Sequence, residues 1–185
     1  MDAFLASTLL VAMAEIGDKT QLLSFALAAR LRRPGAIIAG ILFATLANHA
    51  LAGSLGVWLA SLLSPQAQRY GTAFAFFAFA LWALKPDSLD AAPDSGARGA
   101  FVTTLVAFFL VEMGDKTQLA TIALAARYEA LAPVVLGTTL GMMIANVPAV
   151  LVGERLAARL NLRAMRYTAA ALFAATGVVA LVRPA

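Results

Sequence analysis

The chain has 185 residues, 62% of them hydrophobic and 13% charged, with a mean hydropathy of +0.84. A soluble domain carries about 25% charged residues, so this composition excludes a soluble globular protein and points to an integral membrane protein with essentially no soluble domain. A net charge of +4 and a pI near 10.0 would suit nucleic acid, but the basic residues fall in short loops beside apolar runs, which is the topology signal of membrane proteins, and the absence of cysteine excludes disulfides, thiolate metal sites and cysteine nucleophiles.

Apolar runs long enough to cross a bilayer fall at about 3–29, 35–63, 67–84, 99–126, 133–152 and 166–183. A spanning helix needs about 20 residues, more or fewer with tilt. The first, second and fourth runs are long enough to be tilted or broken. Met1-Asp2-Ala3 puts no basic segment ahead of the first run, which argues against a cleaved leader. Lys85 through Arg98, rich in Pro, Asp, Ser and Gly, reads as a linker.

The first run carries Glu15-Ile16-Gly17-Asp18-Lys19-Thr20-Gln21-Leu22, and the fourth carries Glu112-Met113-Gly114-Asp115-Lys116-Thr117-Gln118-Leu119. The two copies are 97 positions apart. Ala28-Ala29-Arg30 recurs as Ala125-Ala126-Arg127, Ala47-Asn48 as Ala145-Asn146, and Arg69-Tyr70 as Arg166-Tyr167. The chain is therefore a duplication, with residues 1–86 and 99–185 as repeats and 87–98 as a cytoplasmic linker. The expected fold is all-α, six transmembrane helices arranged as two three-helix repeats. Three is odd, so the second repeat enters from the opposite side: an inverted repeat, with its site expected at the midplane between repeats.

Loop charges set the orientation. Arg30, Arg32, Arg33, Lys85, Arg98, Arg155, Arg159, Arg163 and Arg166 follow spans one, three and five; Arg69, Arg127 and Arg183 lie on the other side. That excess places the linker in the cytoplasm and both termini outside it.

Each motif buries three charges where a bilayer is driest. A charge at that depth costs roughly 2.5–3.5 kcal/mol, so such residues are read as functional. On a straight helix of about 100° per residue, Asp18, Lys19, Gln21 and Ser7 share a polar stripe with Glu15; Asp115, Lys116, Gln118 and Thr104 share one with Glu112. Glu15 and Lys19 stand at i, i+4 in the favoured order for an ion pair, as do Glu112 and Lys116. Four carboxylates and two lysines sum to −2. One divalent cation neutralises that sum, and so do two protons, so the site can exchange one for the other.

The expected metal ligands are Glu15, Asp18, Glu112, Asp115, Gln21 and Gln118. Lys19, Lys116, Thr20, Thr117, Asn48 and Asn146 support them. An all-oxygen set suits Ca²⁺, Mn²⁺ or Mg²⁺. The single histidine, His49, has Val147 at its repeat-related position and is read as bonded to a neighbouring helix or snorkelling in a cavity, ahead of a proton relay. One histidine cannot supply the His-Glu-x-x-His ligands of an intramembrane metalloprotease, so no enzyme is expected. Gly35, Gly40, Gly53, Gly56, Gly137 and Gly141 read as close-packing positions, and the phenylalanines of span three as packing or lipid-facing residues.

A doubled Glu-x-Gly-Asp-Lys-Thr motif in six spans closely resembles the Gdt-one-type cation/proton exchangers, and the resemblance covers nearly the whole chain. It implies movement of Mn²⁺, or Ca²⁺, against protons, with no prosthetic group. The motif acids correspond to Glu15, Asp18, Glu112 and Asp115. It further implies a compact bacterial form in the cytoplasmic membrane, exporting Mn²⁺ to the periplasm. The expected partners are the ion, protons and lipid, with no nucleic acid and a homo-oligomer left open. Export of a small organic cation or amino acid is the alternative activity.

Overall fold

A computed structural model describes residues 2–86, 99–152 and 161–182. The linker and the residues Asp87, Asp90, Asp94, Arg98, Arg155, Arg159 and Arg183 lie outside the described residues. The described chain is helical throughout, apart from short turns.

The first apolar run is two helices, α1 (Asp2–Glu15) and α2 (Lys19–Leu31). The fourth run is likewise two, α5 (Ala100–Glu112) and α6 (Lys116–Tyr128). Between them come α3 (Pro34–Leu62) and α4 (Pro65–Ala83), each opened by a proline, the position where its missing N–H costs nothing. After them come α7 (Leu131–Val152) and α8 (Leu162–Val182). Helix α3, α7 and residues 163–182 of α8 are long and apolar enough to cross a membrane, while α5 is a shorter apolar helix.

The two sequence copies share features of backbone and packing. Arg32 and Glu129, which are 97 positions apart, both end their helices in the left-handed region, with φ of 52° and 48°. Helix α1 packs along α7, and α5 along α3. Each contact is built on a glycine. A Cβ on Gly137 would come within 2.5 Å of the Phe4 carbonyl and 3.0 Å of Ser7 Cβ; one on Gly40 would come within 2.9 Å of the Phe101 carbonyl and 2.7 Å of Thr104 Cβ. Gly40 and Gly137, like Ser7 and Thr104, are repeat-related. In an apolar solvent helices gain little by merely hiding surface, so close backbone approach at small residues carries their association. Gly53, Gly56 and Gly141 make similar approaches, but Gly35 faces nothing within 4 Å and has no such role. Ser7 and Thr104 therefore serve helix packing, contrary to the polar-stripe reading.

Helices α4 and α8 pack on each other through Phe76, Phe79 and Phe173, with ring centroids 5.9–6.3 Å apart. This pair departs from the duplication. Helix α4 also packs on α6 and α8 on α1, while among the described residues neither makes more than a marginal contact with α2 or α5.

Candidate cation site

Both motif copies are helix breaks. Met113 has φ −61° and ψ 122°, Gly114 has φ +75°, and the Asp115 N–H donates to the Glu112 carbonyl at 3.1 Å. This is a type II turn, which requires positive φ at its third residue and so selects glycine. The first copy repeats it: Gly17 has φ +86° and Asp18 N–H donates to the Glu15 carbonyl at 3.0 Å. The break overturns the continuous-helix stripe. The glycine turn swings each aspartate away from the wheel position a straight helix would give it.

The rest of the motif serves the break. Asp18 and Asp115 are the N-cap residues of α2 and α6. Asp18 Oδ1 accepts from the Lys19 N–H at 2.7 Å; the Asp115 side chain makes no such cap bond. Gln21 Oε1 accepts from the Gly17 N–H at 2.9 Å, and Gln118 Oε1 from the Gly114 N–H at 2.7 Å. Each glutamine thus reaches back over the first turn to satisfy a backbone donor that the break exposes, a variant of the capping box. The Thr20 hydroxyl donates to Glu15 Oε2, and the Thr117 hydroxyl to Glu112 Oε1.

The lysines do not pair along their own helices. Lys19 Nζ lies 3.2 Å from Asp115 Oδ1, and Lys116 Nζ lies 3.3 Å from Asp18 Oδ1. The predicted i, i+4 pairs with Glu15 and Glu112 fail because the break puts an irregular turn between glutamate and lysine. The repeats hold each other's charges instead, so the two copies meet.

All four acids are buried. Glu15, Glu112 and Asp115 each bring a carboxylate oxygen within 4.8 Å of the others, close enough for one metal ion to touch all three; Asp18 stands outside that group. Glu15 Oε1, Glu112 Oε2 and Asp115 Oδ2 are buried with no hydrogen-bond partner. Orphaned buried acceptors are costly, and these three converge from the two motif copies on a spacing that one metal ion can span. A small cleft beside it is lined by Gly17, Asp18, Lys116, Arg166 and Phe173.

The amides turn elsewhere. Gln21 Nε2 donates to the Ala145 carbonyl at 3.0 Å, in the turn that Pro148 interrupts, and Gln118 Nε2 donates to Asn48 Oδ1 at 2.9 Å. Asn48 Nδ2 donates to the Phe109 carbonyl at 2.9 Å, one of the unpaired carbonyls that end α5. Asn146 Oδ1 accepts from the Ser24 hydroxyl at 2.7 Å, and its Nδ2 reaches Glu15 Oε2 at 3.5 Å. Both glutamines and both asparagines are engaged in hydrogen bonds within the protein.

For His49 the structure removes one of the expected readings. Neither ring nitrogen has a hydrogen-bond partner, so it is not bonded to a neighbouring helix. Its Nε2 lies 3.8 Å from Glu112 Oε1, and both residues are buried. The sequence signal was present, as a histidine one position after the repeated Asn, but nothing in one dimension aimed it at Glu112.

The model of the family described as divalent cation/proton antiporter GDT1 matches residues 3–91 and 100–185. The chain belongs to this family. It is 51% identical to the "Putative manganese exporter" of Vibrio cholerae over 94% of this chain and 87% of that protein. GDT1-like protein 5 of Arabidopsis thaliana is 30% identical over the whole chain and 97% of its own length. GDT1-like protein 3 of indica rice is 28% identical over 93% of this chain and 71% of its own. No solved structure matches the chain. The GDT1 assignment makes this a membrane transporter of the cation/proton antiporter type, and both motif copies lie inside the matched segments.

Proposed function

We propose that the chain exports Mn²⁺ from the cytoplasm in exchange for protons, with Ca²⁺ as a second substrate. The observation that carries this reading is the convergence of Glu15, Glu112 and Asp115, from two repeats, on one buried point with an orphaned oxygen each. The name of the Vibrio relative supports manganese, and the family description supports protons.

In this reading α1 with α2, and α5 with α6, are each one broken span, and with α3, α4, α7 and α8 they make six. Residues 1–86 and 99–185 are repeats of opposite orientation, joined by a cytoplasmic linker at 87–98. Both termini lie outside the cytoplasm, in a bacterial inner membrane. Half-helices meeting at the midplane offer carbonyl ends and N-terminal ends to an ion in the way broken transporter helices do.

Glu15, Glu112 and Asp115 hold the ion. Asp18 caps α2 and neutralises Lys116. Thr20 and Thr117 fix the glutamates by donating to one oxygen of each, which leaves the other for the metal. Gln21 and Gln118 hold the two turns in shape, with Asn48 and Asn146 behind them. Four acids and two lysines leave two negative charges, so the site is neutral with one Mn²⁺ or with two protons. A carrier that crosses the membrane only when neutral moves one against the other.

The test is flux in proteoliposomes with an acidic lumen and Mn²⁺ added outside. Mn²⁺ entry with alkalinisation of the lumen is the expected result. Mn²⁺ entry indifferent to the pH gradient removes the exchange mechanism, and no divalent flux at all removes the cation assignment.

A further inference from the structure

The two halves of the site are held in different ways. Gln21 and Ser24 stand at i, i+3 on α2, and both reach α7. Gln21 Nε2 donates to the Ala145 carbonyl at 3.0 Å, and the Ser24 hydroxyl donates to Asn146 Oδ1 at 2.7 Å. The matching residues on α6 are Gln118 and Thr121. There Gln118 Nε2 takes Asn48 Oδ1 itself, at 2.9 Å. The Thr121 hydroxyl turns back to the Thr117 carbonyl of its own helix at 2.8 Å. Ser24, Asn146 and Thr121 are fully buried, so water does not replace these bonds.

The two asparagine amides therefore do different things. Asn48 Nδ2 donates to the Phe109 carbonyl at 2.9 Å. Asn146 Nδ2 donates to the Met142 carbonyl at 3.0 Å and reaches Glu15 Oε2 at 3.5 Å. The Thr20 hydroxyl donates to that same oxygen. Two donors, one from each half of the chain, thus hold Glu15 Oε2 and leave the orphaned Oε1 for an ion. A carboxylate and a carbonyl only accept, so the Asn146 amide presents Nδ2 to Glu15 and Met142 and Oδ1 to Ser24.

We propose that Ser24 is a positioning residue of the cation site, acting through Asn146 to hold Glu15 in its binding orientation, and that Thr121 has no such role. This rests on the cation-site reading above and deepens it. Without the Ser24 hydroxyl, Asn146 Oδ1 becomes a buried acceptor lacking its donor, and the amide is free to turn away from Glu15. A hydroxyl on α2 thus steers a carboxylate on α1 by way of α7.

The test is the Mn²⁺ affinity of the purified full chain, measured by isothermal titration beside a thermal melt. Ser24→Ala is expected to weaken binding about tenfold, the worth of one modest hydrogen bond, while Thr121→Val stays within about twofold of the parent. Ser24→Cys, close in size but a weaker donor, is expected to lose affinity several-fold and decides the matter if the alanine variant does not fold. In an Asn146→Ala background, Ser24→Ala should have no further effect on Mn²⁺ affinity, because its route to Glu15 is already gone. A role in packing alone would lower the melting temperature and leave the affinity where it was. Parental affinity in the Ser24 variants, effects that add to Asn146→Ala, or an equal loss in Thr121→Val overturns the proposal and leaves the carboxylate site standing. Failure of the parent to bind Mn²⁺ overturns both.

Discussion

Lys19 Nζ lies 3.2 Å from Asp115 Oδ1, so the base of one motif copy is neutralised by the acid of the other. The reciprocal pair, Lys116 with Asp18, is the drier of the two: 4% of the Lys116 side chain is exposed against 24% of Lys19. Breaking a buried pair by removing one partner costs about 3–5 kcal/mol, because the remaining charge is left without compensation. Both aspartates are buried, but Lys19 is partly exposed, so its removal opens a path for water to Asp115 and Lys116→Ala should lower the unfolding midpoint in detergent more than Lys19→Ala. Equal shifts for the two variants would contradict the unequal burial.

The carboxylates provide the second prediction. Glu15→Gln, Glu112→Gln and Asp115→Asn each replace a charged carboxylate by a neutral amide of the same shape. Each should reduce Mn²⁺ flux at least tenfold while the protein remains folded and monodisperse. Asp18→Asn keeps an N-cap acceptor for Lys19 but removes the charge of the Asp18–Lys116 pair. It should impair both transport and stability, a combination Glu15→Gln and Glu112→Gln should not show. Wild-type flux in all four would dissolve the site.

Thr20 and Thr117 should behave alike under one simple exchange. Each donates its hydroxyl to a motif glutamate, and a hydrogen bond to a charged group contributes about 1.5–3 kcal/mol. Thr20→Val and Thr117→Val should weaken Mn²⁺ binding by roughly one to two orders of magnitude, whereas Thr20→Ser and Thr117→Ser should stay within a few-fold of the parent. Isothermal titration with Mn²⁺ separates the two cases. Valine and serine variants of equal affinity would show that the hydroxyl does not hold the carboxylate.

Two glycines should fail for different reasons. Gly114 has open space around it but sits at φ +75°, so Gly114→Ala should cost about 1–2 kcal/mol through its backbone alone, and Gly114→Asn less. A Cβ on Gly141 would meet the Thr8 carbonyl at 2.6 Å and the Ala12 nitrogen at 2.8 Å. Gly141→Ala should push α1 off α7, with asparagine giving no relief. Thermal melts of the four variants decide it: asparagine rescues position 114 and not position 141.

The helices and the burial of the motif acids were legible because each is written locally. Apolar runs mark helices, and a charged string inside an apolar run marks groups that must be enclosed by protein. What was not legible depended on the break's consequence in space. A wheel projection assumes a continuous axis, so it gave the lysines to their own glutamates and put Gln21 and Gln118 among the ligands. Once the type II turn is present, the lysine reaches across the repeat and the glutamine folds back onto the glycine N–H. The neighbour of His49 was hidden for a related reason: Glu112 is 63 positions away, and only the packing of α3 on α5 brings them together.

Helices α4 and α8 lean on α1 and α6 and leave α2 and α5 nearly bare on that flank. Because the repeats are near copies, the bare flank carries almost the same docking contour as the occupied one. On the proposed reading of two opposed repeats, a paired panel with two near-equivalent seats has two resting postures, and shifting between them opens the ion's chamber to opposite faces of the bilayer in turn. On that reading gene duplication alone supplies a rocker, and the second posture needs no sequence beyond the one already written twice.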